Sequence, residues 1–331
     1  KGRALGLVVD GVVSGAMDDV MESGGQKQCR LFMEQWVKKV RGAVQSCRLS
    51  APVTEAPDPF AFDPDSPCTP RSGVKLGLVT ESGVSESLDQ MVRAMTREFT
   101  DAVVFDLSEM KIAGGCLGCL KCGYDNQCVY EGKDDVIAAY RTLRSCDVLV
   151  FAGTIRDRYL SSRWKTFTDR MFFTTHIPFF DQKLLGFLIS GPLRQLPNLQ
   201  GLLTGFYETD GMRIGGIVTD EGEGTARKIH DFASTLEGYH KTGYQPPRQF
   251  PGEAGHRIFR DAIYGGLRGV FVADHKYFKK NGLYDFPQKN RGKRLQTAFM
   301  SLAMRLPSVR KDIQANMVDY MVKPYERVLK P

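Results

Sequence analysis

From Val74 onward, short apolar runs alternate with stretches in which apolar residues recur every three or four positions. Val74 to Thr80 reads as a buried strand, after which Val84, Leu88, Met91, Val92, Met95 and Phe99 fall on one helical face. Ala102 to Leu107 is a second strand, and Asp134 and Asp135 stand where they cap a helix carrying Val136, Ile137, Tyr140 and Leu143. Asp147 to Ala152 is a third strand, followed by a helix around Ser162 to Phe173 and a fourth strand at Leu184 to Ser190. A short helix near Leu199 to Phe206, a strand at Arg213 to Thr219 and a helix with Ala226, Ile229, Phe232, Ala233 and Leu236 complete the series. Five strands alternating with helices predict an α/β doubly wound parallel sheet, whose ligand crevice lies outside the carboxyl ends of the strands.

The flanks follow other patterns. Residues 4 to 13 read as a strand and Gln26 to Val44 as a helix with Leu31, Phe32, Trp36, Val37 and Val40 on one stripe. Prolines at 52, 57, 59, 64, 67 and 70 make Ser50 to Gly73 a linker or surface arm. Beyond Gly243 the expectation is helical: Arg257 to Tyr264, Val270 to Lys280, Lys293 to Arg305 and Val309 to Leu329. The chain thus divides into an N-terminal strand–helix extension (1–49), a Pro-rich linker (50–73), an α/β domain (74–242) and a basic helical extension (243–331). The start at Lys1 rather than Met is consistent with 1–49 being the remnant of a truncated domain.

Composition narrows the class. No apolar run approaches the roughly 18 residues of a membrane span, and no nucleic-acid motif is present. Net charge is +7, yet residues 1–225 hold 25 Lys/Arg against 29 Asp/Glu while 226–331 hold 20 against 9. A basic C-terminal third marks either an anionic partner's surface or solvated helix faces. The histidines (176, 230, 240, 256 and 275) form no ligand spacing and read as structural or surface residues.

Four of the eight cysteines lie within thirteen residues, Cys116, Cys119, Cys122 and Cys128, spaced C-x2-C-x2-C-x5-C. Such a run curls backbone around a compact cluster, so that thiolates converge on separate irons of a [4Fe–4S] cube. Gly118 and Gly123 suit the curl, where positive φ is needed. Zinc, which more often takes separated ligand pairs, and free or redox-active thiols are the alternatives. The other cysteines (29, 47, 68 and 146) show no paired framework, which indicates a reducing, cytoplasmic setting.

The cysteine loop after the second strand, the Asp-Asp helix and Arg163-Trp-Lys165-Thr-Phe-Thr-Asp169-Arg170 together resemble the iron–sulfur flavoproteins, a branch of the flavodoxin-like NADPH-dependent FMN reductases. The resemblance covers about residues 74–240. It implies a flavodoxin-like sheet of order 2-1-3-4-5, FMN as a cofactor and homo-oligomers. The FMN phosphate is expected in the turn holding Thr80, Ser82, Gly83, Ser85 and Ser87, with Gly153, Thr154, Ile155, Arg156 and Tyr159 as a second flavin loop and Ser190 and Gly191 as a third. The turn departs from the family's Ser-Gly-Ser-Pro-Arg pattern: the arginine is missing, and Glu81 and Glu86 bring negative charge. Arg156 or Arg158 is the candidate replacement or, equally, a surface salt-bridge partner.

The resulting expectation is an oxidoreductase carrying FMN and a [4Fe–4S] cluster, taking electrons from NAD(P)H or a ferredoxin-like protein. One rival is a flavin-dependent NAD(P)H reductase with zinc or free thiols. The other is a non-catalytic, metal-stabilised binding module that has lost flavin.

Overall fold

The structure, a computed structural model, describes residues 23–43, 60–66, 68–284 and 291–329. The strand expected at residues 4–13 lies outside them. The chain divides into two compact units, residues 1–54 with 311–331, and residues 55–310. In the first unit the expected helix is α1 (Ser23–Ala43).

The second unit is built on a five-stranded sheet of order β2-β1-β3-β4-β5, every pairing parallel. Its strands are β1 (Arg71–Thr80), β2 (Phe99–Asp106), β3 (Val148–Thr154), β4 (Leu184–Ser190) and β5 (Arg213–Thr219). This is the flavodoxin-like order, with the reversal of strand order, the topological switch point, falling between β1 and β3. The crossovers are α2 (Glu86–Arg97), α3 (Lys121–Asp125) with α4 (Val136–Arg144), α5 (Ser162–Arg170) with α6 (Phe172–Thr175), and α7 (Pro197–Thr209); α8 (Thr225–Thr242) follows β5. β3 and β4 are buried along almost their whole length, as strands covered by helices on both faces must be.

β1 starts three residues before its apolar run. Arg71 N–H donates to Glu98 O at 2.8 Å, and the Arg71 guanidinium pairs with Glu98 and Glu237, so charge extends the strand where hydrophobicity does not. The preceding arm is also anchored, since Phe60 and Phe62 pack against the core.

One sheet face is aliphatic: Leu76, Leu78, Val148, Val150 and Leu188 meet Leu88 and Met91 of α2 and Ile229, Phe232 and Leu236 of α8. A Cβ on Gly186 would lie 2.2 Å from the Phe232 ring, so α8 seats closely only because β4 has a glycine there. The other face is aromatic. Phe151 makes edge and tilted contacts with Trp164, Phe167, Phe187 and Tyr207 at centroid distances of 5.4–6.3 Å.

After α8 come α9 (Phe250–Ala262), a π-helical turn (Ile263–Leu267), α10 (Val272–Lys280) and α11 (Arg291–Ala303). Ile263, Phe271 and Phe278 form a small second core onto which Leu120 and Phe172 pack. Ile263, Phe271 and α10 therefore pack against the cysteine loop. The periodic stretch expected from Val309 to Leu329 is two helices, α12 (Pro307–Ala315) and α13 (Met317–Leu329), broken at Asn316. No helix among the described residues is long and apolar enough to cross a membrane.

Candidate functional site

The chain leaves β2 at Asp106 and enters the cysteine loop, which is closed at its base by the ionic groups Asp134, Asp135 and Arg170. Asp135 Oδ2 accepts from Lys111 N–H (2.7 Å), and Asp134 Oδ2 accepts from Ala113 N–H (3.1 Å) and from Arg170 Nη1 (2.8 Å). Arg170 also donates to Gly114 O (3.1 Å) and lies over the Tyr130 ring, 3.8 Å from its centroid. Both members of the Arg170–Asp134 pair are buried, with side chains 1% and 0% exposed. Burial works to raise the Asp134 pKa, but the bonds from Arg170 outweigh it and hold the carboxyl below its ordinary value. The expected capping by Asp135 is not made by its side chain; Asp134 Oδ1 instead accepts from Val136 N–H (3.3 Å).

Within the loop, Gly118, Leu120 and Asn126 adopt positive φ (61°, 54° and 59°), which turns the chain around α3. Gly118 fills the role expected of it. Gly123 does not: it is helical, and its missing Cβ makes room for Phe271, whose ring lies 3.0 Å from where that atom would sit. Cys116, Cys119, Cys122 and Cys128 all line one pocket with Leu117, Leu120, Phe172 and Phe173. The thiols are free of disulfides; Cys122 is buried, Cys119 and Cys128 are half-buried, and Cys116 is exposed. Burial first, then the charges of the other three cysteines, pushes Cys122 up to about 12. Cys116 is raised too, by burial first and then by the charges of Cys119, Cys128 and Asp169.

Among the described residues no group of three or more His, Cys, Asp or Glu side chains is placed to hold a single metal ion. Thiolates that ligate separate irons of a cube stand farther apart than ligands of one ion, so the finding bears on zinc more than on a cluster. The donor set suits a cluster: four thiols, largely apolar walls and one guanidinium face a common space. That space is small, about 20 Å³, so a cluster fits only if the exposed edge at Cys116 and Leu117 moves outward.

One contact was not legible in the spacing of histidines. His176, fully buried at the end of α6, stands with Nε2 3.2 Å from Cys122 Sγ and Nδ1 2.9 Å from Asp274 Oδ2 on α10. Both ring nitrogens are thus engaged, one by the Asp274 carboxyl and one by the Cys122 sulfur.

The expected flavin loops lie at the carboxyl ends of β1, β3 and β4. Glu81 is not turned toward the expected phosphate; it is buried and accepts from Ser161 Oγ at the start of α5. Glu86 is exposed and bonds Gln90. Other carboxyls occupy the loop. Ser82 N–H donates to Asp106 Oδ1 (3.1 Å) and Gly83 N–H to Asp89 Oδ2 (3.1 Å). Asp220, fully buried, accepts from Ser87 Oγ (2.7 Å), Ser190 Oγ (2.7 Å) and Gly191 N–H (2.9 Å). Ser85 caps α2 by accepting from Leu88 N–H and lies 3.2 Å from Ser190 Oγ. A phosphate therefore does not fit this loop as it stands, because donors it needs already serve carboxyl groups.

The crevice beside the loop is different. Thr80 Oγ1, Thr154 Oγ1, Trp164 Nε1 and Arg158 Nε are buried without a hydrogen-bond partner. Thr80 and Thr154 end β1 and β3, the strands flanking the switch point. Arg156 reaches Val84 O at 3.5 Å, Tyr159 pairs with the Arg156 backbone, and Ile155 packs beneath Gly191. Gly153 gives space to Leu160 and Trp164.

No family model matches the chain, and no curated protein matches it. Solved structures with a similar trace include a flavone reductase (12% identity, 74% of this chain and 97% of the other, TM-score 0.41). Another is an NAD(P)H:quinone oxidoreductase from Methanothermobacter marburgensis (14% identity, 53% and 99%, TM-score 0.37). A third is RosB with a bound 8-demethyl-8-formylriboflavin-5'-phosphate intermediate (14% identity, 57% and 87%, TM-score 0.40). At these scores none of them bears on what this chain does.

Proposed function

We propose that the chain is an oxidoreductase whose redox centre is a [4Fe–4S] cluster held by Cys116, Cys119, Cys122 and Cys128, with flavin in the crevice at the ends of β1 and β3. The observation that carries this reading is the convergence of four unbridged thiols on one pocket. A cluster bound there supplies single-electron transfer. A flavin in the crevice supplies exchange between a hydride and single electrons.

The protein's own part is to hold and shield. Arg170 and Asp134 close the base of the loop, Leu120 and Phe172 keep water from the inner thiols, and His176 orients Cys122. Thr80 and Thr154 offer hydroxyls to the polar edge of a flavin, and Arg156 lies at the mouth of the loop. NAD(P)H or a ferredoxin-like protein is the donor class this reading requires, and a homo-oligomer the assembly it expects.

Anaerobic reconstitution with iron and sulfide, followed by metal, sulfide and flavin analysis, tests the reading. It expects about four irons and four sulfides per chain. Stoichiometric zinc without sulfide would overturn it. The carboxyl-filled loop favours a second reading, a metal-stabilised protein without flavin. Failure of both FMN and riboflavin to bind in titrations would select it.

A further inference from the structure

Beside the cysteine loop the helical region encloses an open-sided cavity of about 580 Å³. Its lining includes Arg268, His275, Lys276, Lys279 and Arg305, with Tyr124 from the same short helix as Cys122, and, among the described residues, no acidic side chain. A volume of this size is that of a small-molecule site.

Three further observations concern what the cavity receives. Lys276, Lys279 and Arg305 have no ion-pair partner among the described residues, and Arg310 adds a further cation, 4.6 Å from the centroid of the Tyr124 ring. Val272 and Ala298 supply apolar wall. The positive field is felt inside. Burial first, then Arg268 and Lys279, pushes the His275 imidazole down to about 4, so it is neutral at neutral pH and pairs with Tyr284 Oη at 2.9 Å.

We propose that this cavity is a binding site for a phosphorylated organic molecule of nucleotide size, its phosphates on Lys276, Lys279 and Arg305 and its planar body on the apolar wall. Inorganic phosphate would leave most of the space and the apolar wall unused. Cation clusters recognise phosphate through charge-assisted hydrogen bonds, which are roughly twice as strong as neutral ones. The site is separate from the strand-end crevice and does not depend on what the thiols hold. It does share α3 and α10 with them: Tyr124 follows Cys122 by two residues, and Asp274, beside His275, reaches His176.

The test is calorimetric titration of the full-length, metal-free chain with ADP, pyrophosphate and adenosine, at low and at moderate salt. ADP is expected to bind more tightly than pyrophosphate, and adenosine at least about tenfold more weakly than ADP. Added salt should weaken ADP binding. The double variant Lys276→Ala/Lys279→Ala, which alters exposed side chains and leaves the core intact, should weaken ADP binding about tenfold or more. Arg227→Ala, an exposed cation on α8, should leave it unchanged. The proposal is overturned if ADP gives no heat at about 10 mM, far above ordinary ligand affinities. It is equally overturned if the Lys276/Lys279 variant binds ADP like the parent, or if adenosine binds as tightly as ADP.

Discussion

Two loops at the carboxyl end of the same sheet treat their polar atoms in opposite ways. In the cysteine loop Arg170, Asp134 and Asp135 tie the base of the pocket together, while the thiols themselves are unbridged. In the turn after β1, the groups that would face a ligand are themselves paired: Asp106, Asp89 and Asp220 take the N–H and hydroxyl donors. A guest entering the first meets unbridged thiols once the exposed edge at Cys116 and Leu117 moves outward; a guest entering the second must displace an internal acceptor. The fold alone therefore does not say which end of the crevice is a site. The pairing of each donor does.

The largest break in this contrast comes from the ligands themselves. Cys122→Ser replaces the most buried thiol with a hydroxyl, a poor ligand for iron. Reconstituted protein is expected to lose the iron and sulfide found in the parent, while flavin binding in the crevice persists. Equal iron and sulfide content in parent and variant would mean that the four thiols do not act as a set.

Next in size is the scaffold. Arg170→Met leaves Asp134 buried without its counter-ion, which costs about 3–5 kcal/mol, read as a lower denaturation midpoint. The pH dependence has a definite sign. The Asp134 carboxyl is held below its ordinary 3.8, so its contribution is present above about pH 4 and fades as pH falls through the folded value. Without Arg170 burial raises the Asp134 pKa, so parent and variant should begin to converge above pH 4, as the variant's buried carboxyl takes up its proton, and continue to do so down to the parent's lowered value. A gap that stays constant down to pH 2 would assign the loss to packing rather than to the ion pair.

How far these regions could be read beforehand depended on the range of the interactions that make them. β4 begins where its apolar run does and is buried along its whole length, so local burial sets it. β1 starts early through Arg71 and Glu98, a pairing 27 residues apart that hydropathy does not register. The four cysteines were visible because the curl is local. His176 was not: Cys122 lies 54 residues before it and Asp274 98 after it. The only local trace is a histidine closing the apolar run Met171-Phe-Phe-Thr-Thr-His176. Likewise Glu81 and Glu86 were the visible charges, whereas the carboxyls that fill the loop come from α2, β2 and the segment after β5.

That histidine gives the third prediction. His176→Ala removes the partner that fixes Cys122, and partners of this kind are typically worth about 10–100-fold in metal affinity. Iron should pass to a competing chelator correspondingly more readily from the variant than from the parent, with folding followed separately by circular dichroism. His176→Gln, which keeps a polar group near Cys122, should recover part of the loss. If both variants release iron like the parent, His176 and Asp274 only fill the core.

The smallest effect sharpens the contrast from the other side. If the turn after β1 is closed by its own carboxyls, the phosphate of FMN contributes little binding, and riboflavin should bind nearly as well as FMN. Asp89→Asn keeps a side-chain oxygen to accept from Gly83 N–H and removes one negative charge from the loop. Removing a like charge beside an anion at a helix N-terminus is worth about 1 kcal/mol, so FMN should bind roughly fivefold more tightly and riboflavin should be unaffected. The ratio of the two affinities, measured by flavin fluorescence quenching, isolates the phosphate from the ring and cancels any change in the crevice. A parent protein that already prefers FMN over riboflavin by a hundredfold would show that the phosphate enters this loop despite its carboxyls. An unchanged ratio in Asp89→Asn would move the obstruction to Asp106 or Asp220, whose bonds to Ser82, Ser87 and Gly191 this substitution leaves in place.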